Sequence, residues 1–162
     1  MPHAGDDSLT LALPDEAAAL ALGARLAAVL RPGMTVYLSG DLGAGKTTLT
    51  RGLLRSLGYA GRVKSPTYTL VELYEIPRLN LYHFDLYRFA DPVEWAEAGF
   101  REYFNADTVC LVEWPEKAAG LLPGPDLTVR LDILAEGRTV RVSAGTEVGR
   151  RCVEALKLSS SA

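Results

Sequence analysis

Eight consecutive residues, Gly40-Asp41-Leu42-Gly43-Ala44-Gly45-Lys46-Thr47, constrain this chain more than any other stretch. They satisfy G-x-x-x-x-G-K-[ST] at every defined position, the pattern of a loop that cradles phosphate. Glycines let the backbone take positive φ and bring its N–H groups against phosphate oxygens with no Cβ in the way. Lys46 supplies a mobile positive charge for the β- and γ-phosphates, and the Thr47 hydroxyl is a ligand for magnesium. A helix beginning at the same point aims its positive end at the same anion. Such a loop belongs between a strand and a helix, and both flanks comply. Upstream, Met34-Thr35-Val36-Tyr37-Leu38 is a short apolar run that reads as a buried strand. Downstream, Leu49, Leu53, Leu54 and Leu57 recur at helical spacing with Arg51 and Arg55 on the other face, and Gly58 stops the run.

The remaining segments alternate strand and helix signals, which predicts an α/β fold. Ser8 to Leu13 reads as a strand ended by Pro14, and Asp15-Glu16 opens a helix running to Leu30 with Leu22, Leu26, Val29 and Leu30 buried. Val63 to Thr69 is a polar, proline-bearing loop. Leu70 to Tyr74, Leu79 to Phe84 and Thr108 to Val112 read as strands, and residues 91–104 as a helix interrupted at Gly99. Residues 127–134 and 139–143 alternate around Glu136-Gly137, which predicts an antiparallel hairpin at the sheet's edge. Thr146 to Leu158 closes the chain as a helix. With no repeat or linker, 162 residues make one domain, 1–162, with residues 1–7 a loose leader and 159–162 a frayed tail.

Composition excludes several function classes. A net charge of −3 gives no electrostatic case for tight, direct nucleic-acid binding. Two cysteines, Cys110 and Cys152, make neither a disulfide framework nor a zinc site. Asp6 and Asp7 stand where a secretory signal would be positive. The apolar stretch from Ala17 to Leu30 is too short to span a bilayer and is broken by Arg25. The expectation is a cytoplasmic protein without a membrane partner.

Hydrolysis or phosphoryl transfer needs acids near the metal and a group that positions the nucleophile. Two apolar strands end in acids, Asp85 and Glu113, at the rim where open α/β sheets bind ligands. Either suits a magnesium ligand and either suits orientation of a water; the residues leave the two roles open. Glu113 at a rim is expected to contribute little packing. Ser65, Thr67 and Thr69 flank Pro66 in a loop placed to close over a γ-phosphate. His83 lies within reach of the site but reads as a packed strand histidine; Trp114 reads as core, the alternative being an aromatic at the sheet rim that abuts the nucleotide or a partner. No Asn-Lys-x-Asp stretch for guanine is present, so ATP is the expected nucleotide.

Four blocks together resemble the TsaE (YjeE) family: Gly40 to Thr48, Ser65-Pro66-Thr67-Tyr68-Thr69-Leu70-Val71, His83-Phe84-Asp85-Leu86-Tyr87-Arg88 and Val112-Glu113-Trp114-Pro115. The likeness runs from about Leu11 to Ser143. It implies a single P-loop NTPase domain with a mixed, mostly parallel central sheet flanked by helices. It also implies a weak, magnesium-dependent ATPase of tRNA threonylcarbamoyladenosine biosynthesis that resets a complex of TsaD and TsaB homologues between turnovers, with tRNA an indirect partner through that complex. By the resemblance, Asp41, Leu42, Gly43, Ala44, Gly45, Lys46, Thr47 and Thr48 bind the nucleotide. Thr47 and Glu113 hold magnesium, Asp85 is the Walker-B-like acid, and Lys46, Asp85 and Glu113 carry the chemistry. Thr67 lies with Thr69 in a switch-like loop, and Glu16 and Gly137-Arg138 lie near the nucleoside. The alternatives are a small-molecule kinase, for which the scattered arginines form no lid, and a nucleotide-gated binding module.

Overall fold

The computed structural model describes residues 7–41, 43–64, 66, 69–77 and 79–160. Leu42, Ser65 and Thr67, singled out above, lie outside the described residues, as do residues 1–6 of the expected leader. Strand β1 (Ser8–Leu13) ends at Pro14, which has no N–H to continue a ladder. Asp15 then caps helix α1 (Glu16–Val29), its carboxylate accepting the Ala18 N–H at 2.9 Å. The chain continues through β2 (Thr35–Ser39), α2 (Lys46–Ser56), β3 (Val71–Ile76), β4 (Leu79–Asp85), α3 (Val93–Ala98) and β5 (Thr108–Glu113). It closes with β6 (Leu127–Ile133), β7 (Arg138–Ala144) and α4 (Glu147–Ser160).

The seven strands form one mixed sheet in the order β1-β7-β6-β2-β5-β4-β3. Its centre is parallel, β6 to β2 to β5 to β4, and β7, β1 and β3 join the outside antiparallel. The β6–β7 hairpin is therefore not at the edge, contrary to expectation. β6 pairs with β2, and β1 covers the outer side of β7 in register from Ser8↔Ser143 to Leu13↔Arg138. Local alternation reveals a hairpin but not a ladder to a strand some 130 residues away. Of the expected tail, residues 161–162 lie outside the described residues, and the rest is helical. Ser159 and Ser160 belong to α4, and Arg25 ties the helix end down through Ser159 Oγ at 3.2 Å and the Leu156 carbonyl at 2.8 Å.

Period-two alternation splits the core between the two faces of the sheet. Leu81, Val109 and Leu111 pack on the face covered by α1, α2 and α4. Phe84, Cys110 and Val112 pack on the other, where Trp95, Phe100 and Phe104 ring Phe84 at centroid distances of 5.5, 5.3 and 5.3 Å. All six residues of β5 are buried, as a strand covered on both faces requires. Burial pushes the Cys110 thiol up to about 12, which suits a packing role and not a reactive one. On the helical face, α1 and α2 approach through glycines. A Cβ on Gly52 would drive into the Leu20 backbone, and one on Gly23 into the backbone of Leu49 and Leu53. That contact seats α2 against the sheet and sets where its first turn points.

Candidate active site at the phosphate loop

The two ends of α1 and α2 differ in a way that matters. Asp15 satisfies the start of α1 from within the chain. Gly45, at the start of α2, makes no side-chain cap, and the first turn carries no acid. The leading N–H groups of a helix have no intrahelical partner, so this end is set up for an external anion. Gly43 and Gly45 sit at φ of 83° and 104°, and a Cβ on either would meet nothing within 4 Å. Packing does not require glycine there; the positive φ does, and the missing Cβ leaves the backbone open.

The same alternation that built the core places the acids. On β4, Leu81, His83 and Asp85 share a face; on β5, Leu111 and Glu113 share the matching one. Parallel pairing sets Asp85 directly beside Glu113. All three polar side chains therefore emerge on the α2 side, where Lys46 begins the helix. Lys46 Nζ lies 3.1 Å from Glu113 Oε1, and His83 Nε2 lies 2.6 Å from Glu113 Oε2. Lys46, His83, Asp85 and Glu113 are all buried. Burial pushes the Glu113 carboxyl up, but the hydrogen bond and charge of His83, with the charge of Lys46, outweigh it and hold Glu113 below the usual carboxylate range. Asp85 goes the other way: burial raises it, and the nearby Glu113 adds to the rise, against a Tyr87 N–H donated to Oδ1 at 3.0 Å. Adjacent carboxyls thus hold their protons differently.

Trp114 follows Glu113 in a left-handed conformation, φ 57°, uncommon for a bulky residue. That turn brings its ring under Lys46, with Nζ 5.0 Å from the ring centroid, a cation–π distance. Tyr87 packs against the same ring at a centroid distance of 5.0 Å. Two cavities flank the loop. One, of about 330 Å³, is lined by Pro14, Glu16, Gly45, Thr48, Gly137 and Arg138 among others. Arg138 ties the hairpin turn to the phosphate loop by donating to the Gly43 carbonyl at 3.0 Å. The other, of about 200 Å³, is lined by Asp41, Lys46, Trp114, Glu116, Arg130 and Asp132.

A sequence profile described as "Threonylcarbamoyl adenosine biosynthesis protein TsaE" matches residues 13–141, which spans every described element of the site. The chain belongs to the TsaE family. It is 49% identical over 154 residues to the tRNA threonylcarbamoyladenosine biosynthesis protein TsaE of Haemophilus influenzae, covering 92% of this chain and 98% of that one. It is 41% identical over 138 residues to the protein of the same name from Bacillus subtilis, covering 85% and 84%. The crystal structure of Bacillus subtilis YdiB superposes with a TM-score of 0.81 at 30% identity, covering 94% of this chain and 96% of that one. The TsaE assignment and the α/β fold expected from the four sequence blocks both stand.

Within this TsaE chain the expected site residues divide by position. Glu16, Gly43, Ala44, Gly45, Thr48, Gly137 and Arg138 line the larger cavity, and Asp41 and Lys46 the smaller. Thr47 is exposed at the mouth of the loop. Thr69 is exposed, in the turn before β3, and its hydroxyl donates to Glu72 Oε1 at 3.3 Å. Leu42 and Thr67 lie outside the described residues. Glu113 is not the lightly packed rim acid expected, because its carboxylate lies inside a buried cluster. His83 is packed, as read, but it also bonds a site acid; its two-residue spacing from Asp85 was the available signal. Trp114 touches the lysine of the loop, a contact that no sequence spacing encodes. No helix among the described residues is long and apolar enough to cross a membrane.

Proposed function

We propose that this protein is a magnesium-dependent ATPase that serves tRNA threonylcarbamoyladenosine biosynthesis by acting on a complex of TsaB and TsaD homologues. One observation carries the reading. Lys46, Asp85 and Glu113, from three separate elements, converge beside a helix start that has been left uncapped. The pathway is suggested by the names of the relatives. The larger cavity has room for a nucleoside between α1, the phosphate loop and the Gly137-Arg138 turn.

Binding begins with the backbone N–H groups of Gly43, Gly45, Lys46 and Thr47 gripping phosphate oxygens, while the Ala44 N–H donates to the Asp41 carbonyl at 3.0 Å. Lys46 exchanges Glu113 for the β- and γ-phosphates, which a flexible ammonium does readily. Thr47 and Glu113 would hold magnesium: hydroxyl and carboxylate oxygens suit that hard ion. Among the described residues no group of three or more His, Cys, Asp or Glu forms a metal cage, so phosphate and water would complete the shell. Magnesium supplies charge neutralisation at the phosphates. Asp85 orients the attacking water, and the products are ADP and inorganic phosphate. The deciding experiment measures phosphate release by this protein alone, then with the TsaB–TsaD complex, then with tRNA added. A sharp, magnesium-dependent rise on adding the complex is expected. No release under any condition, or transfer of phosphate to an added metabolite, overturns the reading.

A further inference from the structure

His83 is the one polar group of the cluster that the proposed chemistry does not use. Its ring is 1% exposed, and its Nε2 lies 2.6 Å from Glu113 Oε2. The other oxygen of the same carboxylate, Oε1, faces Lys46 Nζ at 3.1 Å. Glu113 is thus held from two sides by groups of different character. Lys46 stands on a long flexible stem and has work to do at the phosphate. The His83 ring is buried on a short side chain of β4 and cannot follow the nucleotide.

The proton arrangement follows from geometry. A bare Nε2 at 2.6 Å from a carboxylate oxygen would set acceptor against acceptor, so Nε2 carries a proton and donates it. The second nitrogen, Nδ1, is buried and has no hydrogen-bond partner among the described residues. Among the described residues, the ring's hydrogen bond is the one to Glu113.

We propose that His83 is a positioning residue: it keeps the Glu113 carboxylate oriented, with Oε1 facing the phosphate loop, after Lys46 has left Glu113 for the nucleotide. The inference rests on the proposed magnesium-dependent nucleotide binding and adds a residue to it. Without His83, the released carboxylate would be free to rotate about its side-chain torsions, and Oε1 would no longer be presented to the metal. A hydrogen-bonded partner behind a metal ligand acts in this way elsewhere.

The test compares the unsubstituted full chain with His83→Gln, which keeps an N–H donor, and His83→Leu, which fills similar space without one. Affinity for a fluorescent ATP analogue is titrated in EDTA and again in magnesium, and Tm is recorded for each. In His83→Leu the gain in affinity on adding magnesium should fall by about 10- to 100-fold, with affinity in EDTA unchanged within about twofold. His83→Gln should recover most of the gain, which a purely structural histidine would not produce. A gain retained in both variants, lost equally in both, or lost together with EDTA affinity overturns the proposal. If His83→Leu fails to fold, long-range proton–nitrogen NMR of the unsubstituted protein decides: a proton on His83 Nε2, kept when magnesium and nucleotide are added, is expected, and its absence overturns the assignment. An unsubstituted protein with no magnesium-dependent gain overturns the nucleotide reading as well, whereas a normal gain kept by the variants overturns only the role of His83.

Discussion

Lys46 Nζ stands 3.1 Å from Glu113 Oε1, joining the ammonium of the phosphate loop to the carboxylate at the end of β5 with both side chains buried. Neither charge can be deleted without stranding part of the other. The pair also ties the start of α2 to the parallel centre of the sheet, so the same contact bears on stability and on ligand binding.

Lys46→Ala should weaken ATP binding by roughly 1.5–3 kcal/mol, about 10- to 150-fold, since a charge-assisted contact is lost. Titration of a fluorescent ATP analogue measures it. Affinity unchanged within error would remove the phosphate loop from the site.

Withdrawal of Lys46 from the Trp114 ring, now 5.0 Å from the ammonium, should change indole emission when nucleotide binds. Trp95, the other tryptophan, is buried against Phe84 on the opposite face and should be silent. Trp114→Phe should abolish the signal; a signal that survives would assign it elsewhere.

Glu113→Gln should destabilise the protein measured without nucleotide or magnesium by about 3 kcal/mol, the lower end of the range for breaking a buried pair. The pH dependence has a definite sign. Glu113 is held below its ordinary value of 4.5, so its stabilisation is complete above that pH and is lost as pH falls through the lower folded value. Denaturant melts taken downward from about pH 6 should show a shallower acid limb in the variant. An unchanged limb would refute the account.

Asp85→Asn should do the reverse. Its proton is held above the ordinary 3.8, so ionised Asp85 costs stability that is absent below that value and accumulates as pH rises through the folded one. The variant should therefore melt higher than the parent at pH 7 and equally at low pH, while losing hydrolysis. A lower Tm at pH 7 would show Asp85 to be a stabilising residue.

Two glycine substitutions should separate binding from folding. Gly43→Ala meets no neighbour within 4 Å, so only the positive φ costs it, about 1–2 kcal/mol, while the added methyl obstructs the phosphate. Gly52→Ala drives a methyl into the Leu20 backbone and should cost about 1–3 kcal/mol or more in stability. Unchanged ATP affinity in Gly43→Ala would contradict the open loop, and an unchanged Tm in Gly52→Ala the close helix contact.

Much of this architecture was legible before folding because its signals are local. The phosphate-loop pattern, the leucine spacing of α2 and the apolar runs ending in Asp85 and Glu113 each act within a few residues. The errors came where distant segments meet. β1 reads as a strand from its own residues, but its place outside β7 depends on a ladder from Ser8 to Ser143. Ser159 reads as tail because Arg25, which holds it, lies 134 residues away. Glu113 reads as a rim acid because nothing beside it in the chain discloses the ring and the ammonium that enclose it.

By itself, the order of residues determined that a helix would start at Lys46 without an internal cap, and that two acids would end two buried strands. Those outcomes follow from glycine's freedom of φ and from hydrophobic period, both properties of neighbours along the chain. Tertiary structure alone decided that Asp85 and Glu113 stand side by side, that His83 and Lys46 share one carboxylate, and that Trp114 lies under the ammonium. The reason is the parallel register of β4 and β5 together with the close seating of α2: strand pairing and helix packing bring together side chains whose separation in sequence carries no mark of the contact.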